Sequence, residues 1–238
     1  MTMPEHGVRQ AVILAGGLGT RLRPFVAGRP KPMALFNGRP FLEHQMGFLK
    51  ARGVRDVVLC VGYMAESISG YFGEGASCGL RIRYSVEPSP LGTGGALKLA
   101  EPLLEDVFFV LNGDTLLSCD LMVLGKHHVQ HHADATIAVS MVQDAMSFGI
   151  VRIGAGNIVS HFQEKGAASG SAYVNAGLYV LSKELVHSIP SNRRISLEGE
   201  MLPEWVAKRR VIAFRETAFV DIGTSEGYEK CMRQLTDK

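Results

Sequence analysis

This sequence predicts a three-layer α/β/α fold with a mixed central sheet, on three observations. Short apolar runs alternate with helix-length amphipathic segments through the first half, closely spaced strand-like runs fill the middle, and helical patterns return toward the end. In chain order, residues 10–15 predict a buried strand, 41–52 a helix, 56–61 a strand, 66–72 a helix and 81–86 a strand. That is the βαβ rhythm of a parallel sheet covered on both faces. A short helix is expected at 96–104 after a glycine-rich turn, then a buried strand at 107–111 that ends at Asn112-Gly113-Asp114. A helix at 121–132 leads into β runs at 135–141, 149–153, 158–163 and 173–181, whose close spacing suits antiparallel or mixed pairing. Helices at 183–189, 198–208 and 224–235 are separated by strands at 211–214 and 219–221. No repeat, charge block or low-complexity linker interrupts the 238 residues, which therefore read as one domain.

Composition narrows the partners. Lys plus Arg number 25 and Asp plus Glu 23, a net charge of +2 that lacks the dense basic excess of a nucleic-acid binder and suits a small anionic ligand. Cys60, Cys78, Cys119 and Cys231 are scattered with no C-x-x-C pair, so neither a zinc ribbon nor a redox motif is supported and reduced thiols are expected. The N-terminal residues carry Glu5, His6 and Arg9, and the apolar run behind them breaks at Gly16-Gly17, which makes neither a signal peptide nor a membrane span. The expected setting is the cytoplasm.

The run Ala11-Val12-Ile13-Leu14-Ala15 breaks into Gly16-Gly17-Leu18-Gly19-Thr20-Arg21-Leu22-Arg23-Pro24, followed by Lys31-Pro32-Met33. Three glycines in four positions let a backbone turn sharply and bring its N–H groups against an oxyanion, with Arg21 and Lys31 supplying positive charge. Leu22 stands where a dinucleotide fingerprint needs Gly or Ala, and no Gly-Lys-Ser/Thr follows at P-loop spacing. Ligands of open α/β sheets bind beyond the carboxyl ends of the strands, and Asp114 lies just past one such end. Asp221 ends another apolar run in Val220-Asp221-Ile222-Gly223-Thr224, where Thr224 is a candidate helix cap.

The strand, the Gly-Gly-x-Gly-Thr-Arg-Leu turn and the downstream Lys-Pro-Met resemble the signature of sugar-1-phosphate nucleotidylyltransferases, and the resemblance extends over nearly the whole chain. It implies a Rossmann-like nucleotidyltransferase fold, with about 1–115 binding nucleotide and about 116–238 binding sugar phosphate. Larger members add a β-helix, and no hexapeptide repeat is present here. The implied reaction is attack of a sugar-1-phosphate oxygen on the α-phosphorus of a nucleoside triphosphate. In that reading Leu14, Ala15, Gly16, Gly17, Gly19, Thr20, Glu87, Gly92, Thr93 and Asn112 contact nucleotide, and Arg21 meets the triphosphate. Lys31 meets the α-phosphate, and Asp114 and Asp221 hold Mg²⁺, a hard cation suited to carboxylates and phosphate oxygens.

The second glycine-rich segment, Glu87-Pro88-Ser89-Pro90-Leu91-Gly92-Thr93-Gly94-Gly95, matches the family's base-recognition turn. Guanine offers two adjacent N–H donors that the Glu87 carboxylate can accept together, which favours GTP; reading of the base by main-chain groups near Gly92 is the alternative. Glu164-Lys165 resembles the family's Glu-Lys element and Asn175-Ala176-Gly177 its sugar-contacting strand, so Gly113, Glu164, Lys165, Asn175, Gly177 and Glu198 are the expected sugar-phosphate contacts. Many relatives carry Pro after that lysine; here Gly166 opens a small-residue stretch to Ala172, which predicts a mobile loop. Ser196 is better suited to capping a helix. In overall spacing the chain resembles guanylyltransferases of D-glycero-α-D-manno-heptose 1-phosphate, then those of mannose 1-phosphate. A uridylyl- or thymidylyltransferase on the same scaffold and a non-catalytic nucleotide-sugar sensor are the competing readings. The expected partners are GTP and a sugar 1-phosphate, with no nucleic acid and no membrane, and with a homo-oligomer left open. His127, His128, His131 and His132 share helical spacing, but an exposed amphipathic helix accounts for them better than a metal site.

Overall fold

The computed structural model describes residues 7–17, 28–164, 170–215, 217–223 and 225–236. Its main sheet grows from β1 (Gln10–Leu14), a strand buried on both faces. β1 pairs in parallel with β4 (Asp56–Val61) and with β6 (Val107–Asn112), and β4 pairs in parallel with β5 (Arg81–Val86). Alternation along each strand divides the core between two faces. Ala11, Ile13, Phe109 and Leu111 pack on one side, while Val12, Phe108 and Val110 pack on the other. The three-layer arrangement follows.

Helix α1 (Phe41–Ala51) and α2 (Ala65–Phe72) connect the first strands. α3 spans Gly92–Ala100, so it starts four residues before the expected 96–104 helix and contains the glycines themselves. Glycine is a poor helix former, and the reason this stretch is helical lies in a distant segment described below. α4 (Leu121–Gln130) is capped by Asp120, whose Oδ1 accepts from the N–H groups of Met122 and Val123 at 2.9 and 3.1 Å.

The second half turns the sheet mixed. β11 (Ala172–Ser182) lies antiparallel to β6 through Leu178–Ser182 and antiparallel to β8 (Ala135–Val142), with a register shift between Asn175 and Tyr179. β9 (Ile150–Ile153) and β10 (Val159–Gln163) extend that edge, and β12 (Val211–Phe214) pairs in parallel with β8. Helices α5 (Lys183–His187) and α6 (Leu202–Lys208), the latter entered through a π-helical turn at Leu197–Met201, cover this half, and α7 (Ser225–Thr236) closes the chain.

Two small ribbons use four short strands, of which the sequence predicts only that at 219–221. β2 (Leu35–Phe36) and β3 (Arg39–Pro40) form a hairpin around Asn37-Gly38, both at positive φ, the geometry that an Asn-Gly pair favours. β7 (Thr115–Ser118) pairs antiparallel with β13 (Ala218–Asp221), and Asp221 stands opposite Thr115. This second ribbon brings residues more than a hundred positions apart to one place. No helix among the described residues is long and apolar enough to cross a membrane.

Candidate active site

The carboxyl ends of β1 and β6 are stitched together. Leu14 stands opposite Asn112 in the ladder, and the Gly113 N–H donates to Leu14 O at 3.0 Å. A Cβ at Gly113 would lie 2.5 Å from that same oxygen and 3.1 Å from Ala15 Cα, so only glycine allows the two chains to meet here. Beside them, the Ala15 N–H donates to Cys60 O at 2.8 Å, and a side chain on Gly16 would collide with Glu87 Oε1. Gly17 has open space around it. Gly19, Thr20 and Arg21 lie outside the described residues, as do Lys165 and the proposed cap Thr224.

Three charged groups converge just beyond this junction. Lys31, on a 3₁₀ turn at Lys31–Met33, places Nζ 2.6 Å from Asp114 Oδ2. The Ile222 N–H donates to Asp114 O at 2.9 Å, which ties the β13 end to the β6–β7 turn. Asp221 Oδ1 accepts from the Gly223 N–H at 2.6 Å, and a Cβ on Gly223 would fall 3.0 Å from Lys31 Nζ. Asp114, Asp221 and Lys31 thus occupy one mouth. The donor set is hard oxygen from two carboxylates, and a cationic ammonium already rests against one of them. A divalent metal fits such a site.

Glu87 follows β5 and is half-buried beside the Gly16 backbone. Its N–H donates to Val61 O at 2.8 Å, and its Oε2 accepts from the Leu91 N–H at 2.8 Å. Burial raises its carboxyl affinity for a proton, and the Leu91 N–H acts against that shift. The glycines that follow serve packing. Cβ atoms at Gly92, Gly94 and Gly95 would meet Ile195 O at 2.5 Å, Ile195 Cγ2 at 2.9 Å and Arg193 O at 2.8 Å. Ile195 O instead accepts from the N–H groups of Gly94 and Gly95, at 2.9 and 3.3 Å. Residues 193–197 therefore lie flush on the start of α3, which is why that helix tolerates its glycines.

A polar cavity of about 210 Å³ opens beside the charged mouth, lined by Asn112, Asp114, Thr115, Glu164, Asn175 and Asp221, with Gly177 and Glu198 also on its wall. Glu198 is its hub. Oε2 accepts from Thr93 Oγ1 at 2.8 Å; Oε1 accepts from Asn112 Nδ2 and from the Tyr179 hydroxyl, both at 3.3 Å. Thr93 Oγ1 in turn accepts from the Leu197 N–H at 2.8 Å. Asn175 Nδ2 donates to the Tyr179 hydroxyl at 2.6 Å, and its Oδ1 accepts from the Gly177 N–H at 3.0 Å in the irregular stretch of β11. Burial first, and the Glu198 carboxylate second, hold the Tyr179 phenol well above its usual range. Ser196 caps the π-helical turn, accepting from the Gly199 N–H at 2.8 Å, as expected.

Sequence reasoning missed Gln45, Tyr179 and the aromatic wall of Phe148, Phe162 and Phe219. Gln45 and Tyr179 bond to residues of the site and the three phenylalanines line the cavity, contacts that only the topology makes. Among the described residues no group of three or more His, Cys, Asp or Glu side chains is placed to hold a metal ion. His128 is buried with Nδ1 2.9 Å from Thr136 Oγ1, and His127 stacks on His131 at 4.2 Å between ring centroids.

The comparison with known proteins agrees with this geometry. The family model for nucleotidyl transferases matches residues 10–238. The D-glycero-α-D-manno-heptose 1-phosphate guanylyltransferase of Aneurinibacillus thermoaerophilus is 35% identical over 228 residues, covering 95% of this chain and 98% of that protein. The mannose-1-phosphate guanylyltransferase of Mycobacterium tuberculosis is 36% identical over 230 residues, but the match covers only 64% of that longer protein. Among solved structures, HddC from Yersinia pseudotuberculosis complexed with GMP-PN superposes with a TM-score of 0.84 at 33% identity, covering 95% of this chain and 99% of that one. With its sheet, Leu14–Gly113 junction and carboxylate pair arranged in this way, and with the match running through almost its entire length, the chain belongs to the nucleotidyl transferase family.

Proposed function

We propose that this protein transfers GMP from GTP to D-glycero-α-D-manno-heptose 1-phosphate, giving the GDP-activated heptose and pyrophosphate. The observation that carries the reading is the convergence of Lys31, Asp114 and Asp221 between the Leu14–Gly113 junction at the end of β1 and the polar cavity that ends at Glu198. Two anionic substrates meet at that point, one from each half of the chain. About 1–115 supplies the nucleotide side and about 116–238 the sugar side.

A phosphate oxygen of the sugar phosphate attacks the α-phosphorus of GTP in line. The bond from that phosphorus to the bridging oxygen breaks, and pyrophosphate leaves with the electron pair. No protein nucleophile is needed, so the chain acts by positioning and electrostatic stabilisation. Lys31 turns its ammonium from Asp114 to the α-phosphate, Arg21 takes the triphosphate and departing pyrophosphate, and Lys165 takes the sugar phosphate. Leu14, Ala15, Gly16, Gly17, Gly19 and Thr20 are assigned to the nucleotide. Asp114 and Asp221 are the residues that hold Mg²⁺. That ion, when bound, neutralises charge between the two phosphate groups.

Glu87, with Oε1 directed over Gly16, is the group we assign to the guanine N–H pair, next to Gly92 and Thr93. Gly113, Glu164, Asn175, Gly177 and Glu198 are assigned to the sugar phosphate, and Asn112 to the nucleotide. The heptose reading is supported by the heptose-phosphate relative at 35% identity, and mannose 1-phosphate is the second reading because the mycobacterial relative is equally similar at 36%. Scattered cysteines that form no disulfide and a demand for GTP suit the reducing cytoplasm.

Pyrophosphate release with GTP, Mg²⁺ and the heptose phosphate, run beside mannose 1-phosphate and beside UTP, tests the proposal. Release with GTP and the heptose phosphate alone is expected. Release with mannose 1-phosphate or UTP instead reassigns the substrate, and silence with every pairing sinks the catalytic reading.

A further inference from the structure

Gln45 lies on α1 directly beneath the turn that carries Asp114, with only 2% of its surface exposed. Its Nε2 donates to two backbone carbonyls, Asn112 O and Thr115 O, each at 2.9 Å. Both partners are acceptors only, so the amide nitrogen with its two hydrogens must face the turn, and the reversed amide would set oxygen against oxygen. The outward Oε1 is buried with no hydrogen-bond partner among the described residues. Gln10 makes the contrast. It is equally buried, but its Nε2 donates to Leu103 O at 3.0 Å while its Oε1 accepts from the Glu105 N–H at 2.8 Å.

A buried acceptor left unpaired loses its hydration with nothing in return. What Gln45 gains against that cost is the pair of bonds that straddle Gly113 and Asp114. Those bonds complete a frame. Gly113 is held from one side by Leu14 O and Asp114 O from another by the Ile222 N–H, while the two flanking carbonyls are held from below by Gln45. The carboxylate of Asp114 extends from this framed turn to the mouth, where it meets Lys31.

We infer that Gln45 is a positioning residue for the transfer reaction, its side-chain amide fixing the Asn112–Thr115 turn so that the Asp114 carboxylate is held where a divalent cation is taken. The inference rests on the proposed role of Asp114. It acts through the geometry of that carboxylate and touches no substrate.

The test uses Gln45→Asn, which keeps an amide one methylene too short to reach both carbonyls, and Gln45→Met, which keeps the length without donors. Mn²⁺ binding to the substrate-free protein is measured by paramagnetic resonance, alongside kcat, both KM values and the melting temperature. We expect Mn²⁺ affinity and kcat each to fall by about tenfold or more in both variants with KM for GTP nearly unchanged, since an error near 1 Å in positioning can cost about 10²-fold. A lower melting temperature with wild-type kcat and wild-type Mn²⁺ affinity would make Gln45 merely structural and overturn the inference. If Gln45→Met does not fold, Gln45→Asn alone decides between these outcomes. A wild-type protein that turns over no nucleotide but binds Mn²⁺ removes the proposed function and leaves the Gln45 comparison standing on metal affinity. A wild-type protein that binds no Mn²⁺ removes the inference.

Discussion

Lys31 Nζ and Asp114 Oδ2 stand 2.6 Å apart, so the cation assigned to substrate phosphate is parked on the carboxylate assigned to the metal. The ion pair is partly open to solvent, and such pairs contribute about 0–1 kcal/mol to stability. Lys31→Met should therefore leave the melting temperature nearly unchanged while kcat drops by about 10²- to 10³-fold, the usual cost of losing one electrostatic stabiliser of a reacting centre. Thermal melts and steady-state rates on the same preparation check this. A large fall in melting temperature with an intact rate would show that Lys31 only supports the fold.

Asp221 carries two duties that a choice of variant can separate. Its Oδ1 accepts from the Gly223 N–H at 2.6 Å, which shapes the turn after β13. Asp221→Asn keeps an oxygen for that turn but removes the charge, so we expect a folded protein whose turnover is lost by about 10²-fold or more. Asp221→Ala should lose the turn bond as well, at an added cost of about 1 kcal/mol. Wild-type turnover in Asp221→Asn would remove this residue from the metal site.

Much of this arrangement could be read in the sequence because local pattern and environment agreed. The strands at β4, β5 and β12 fall where their apolar runs place them, and Asp114 and Asp221 were found at strand ends where sheet ligands gather. The start of α3 was not legible, since Gly92, Gly94 and Gly95 read locally as a turn and only the distant backbone of residues 193–197 makes them helical. Gln45 gave no signal for the same reason. A single glutamine on an amphipathic helix looks solvated, and its partners Asn112 O and Thr115 O are brought to it by tertiary packing. The Asn37-Gly38 hairpin did carry a recognisable signal, but its two-residue strands are too short for any period to show.

Gly92 joins the two halves of the site. At φ +72° and with a would-be Cβ 2.5 Å from Ile195 O, alanine there strains the backbone and pushes residues 193–197 off α3. Glu198 follows that segment and accepts from Thr93 Oγ1, so the base-side turn and the sugar-side cavity should loosen together. Gly92→Ala is expected to cost about 1–3 kcal/mol of stability, as overpacking does, and to raise KM for both substrates. If only the GTP KM rises, Glu198 does not couple the halves.

His128 should make the protein acid-sensitive well above the range of its carboxylates. Burial, with help from neighbouring His127 and against the pull of Asp134, lowers its pKa from 6.5 to about 4. Above pH 6.5 the imidazole is neutral in both folded and unfolded chains, and its contribution to stability is complete. As pH falls from 6.5 toward 4 the unfolded chain takes up a proton that the folded one refuses, and stability declines by at most roughly 3 kcal/mol. Below pH 4 both states are protonated and this group causes no further loss. His128→Asn, whose amide stands where Nδ1 meets Thr136 Oγ1, does not titrate and should flatten the slope of unfolding free energy between pH 6.5 and 4. Denaturant unfolding at closely spaced pH values measures that slope, and equal slopes in the two proteins would place the acid sensitivity elsewhere.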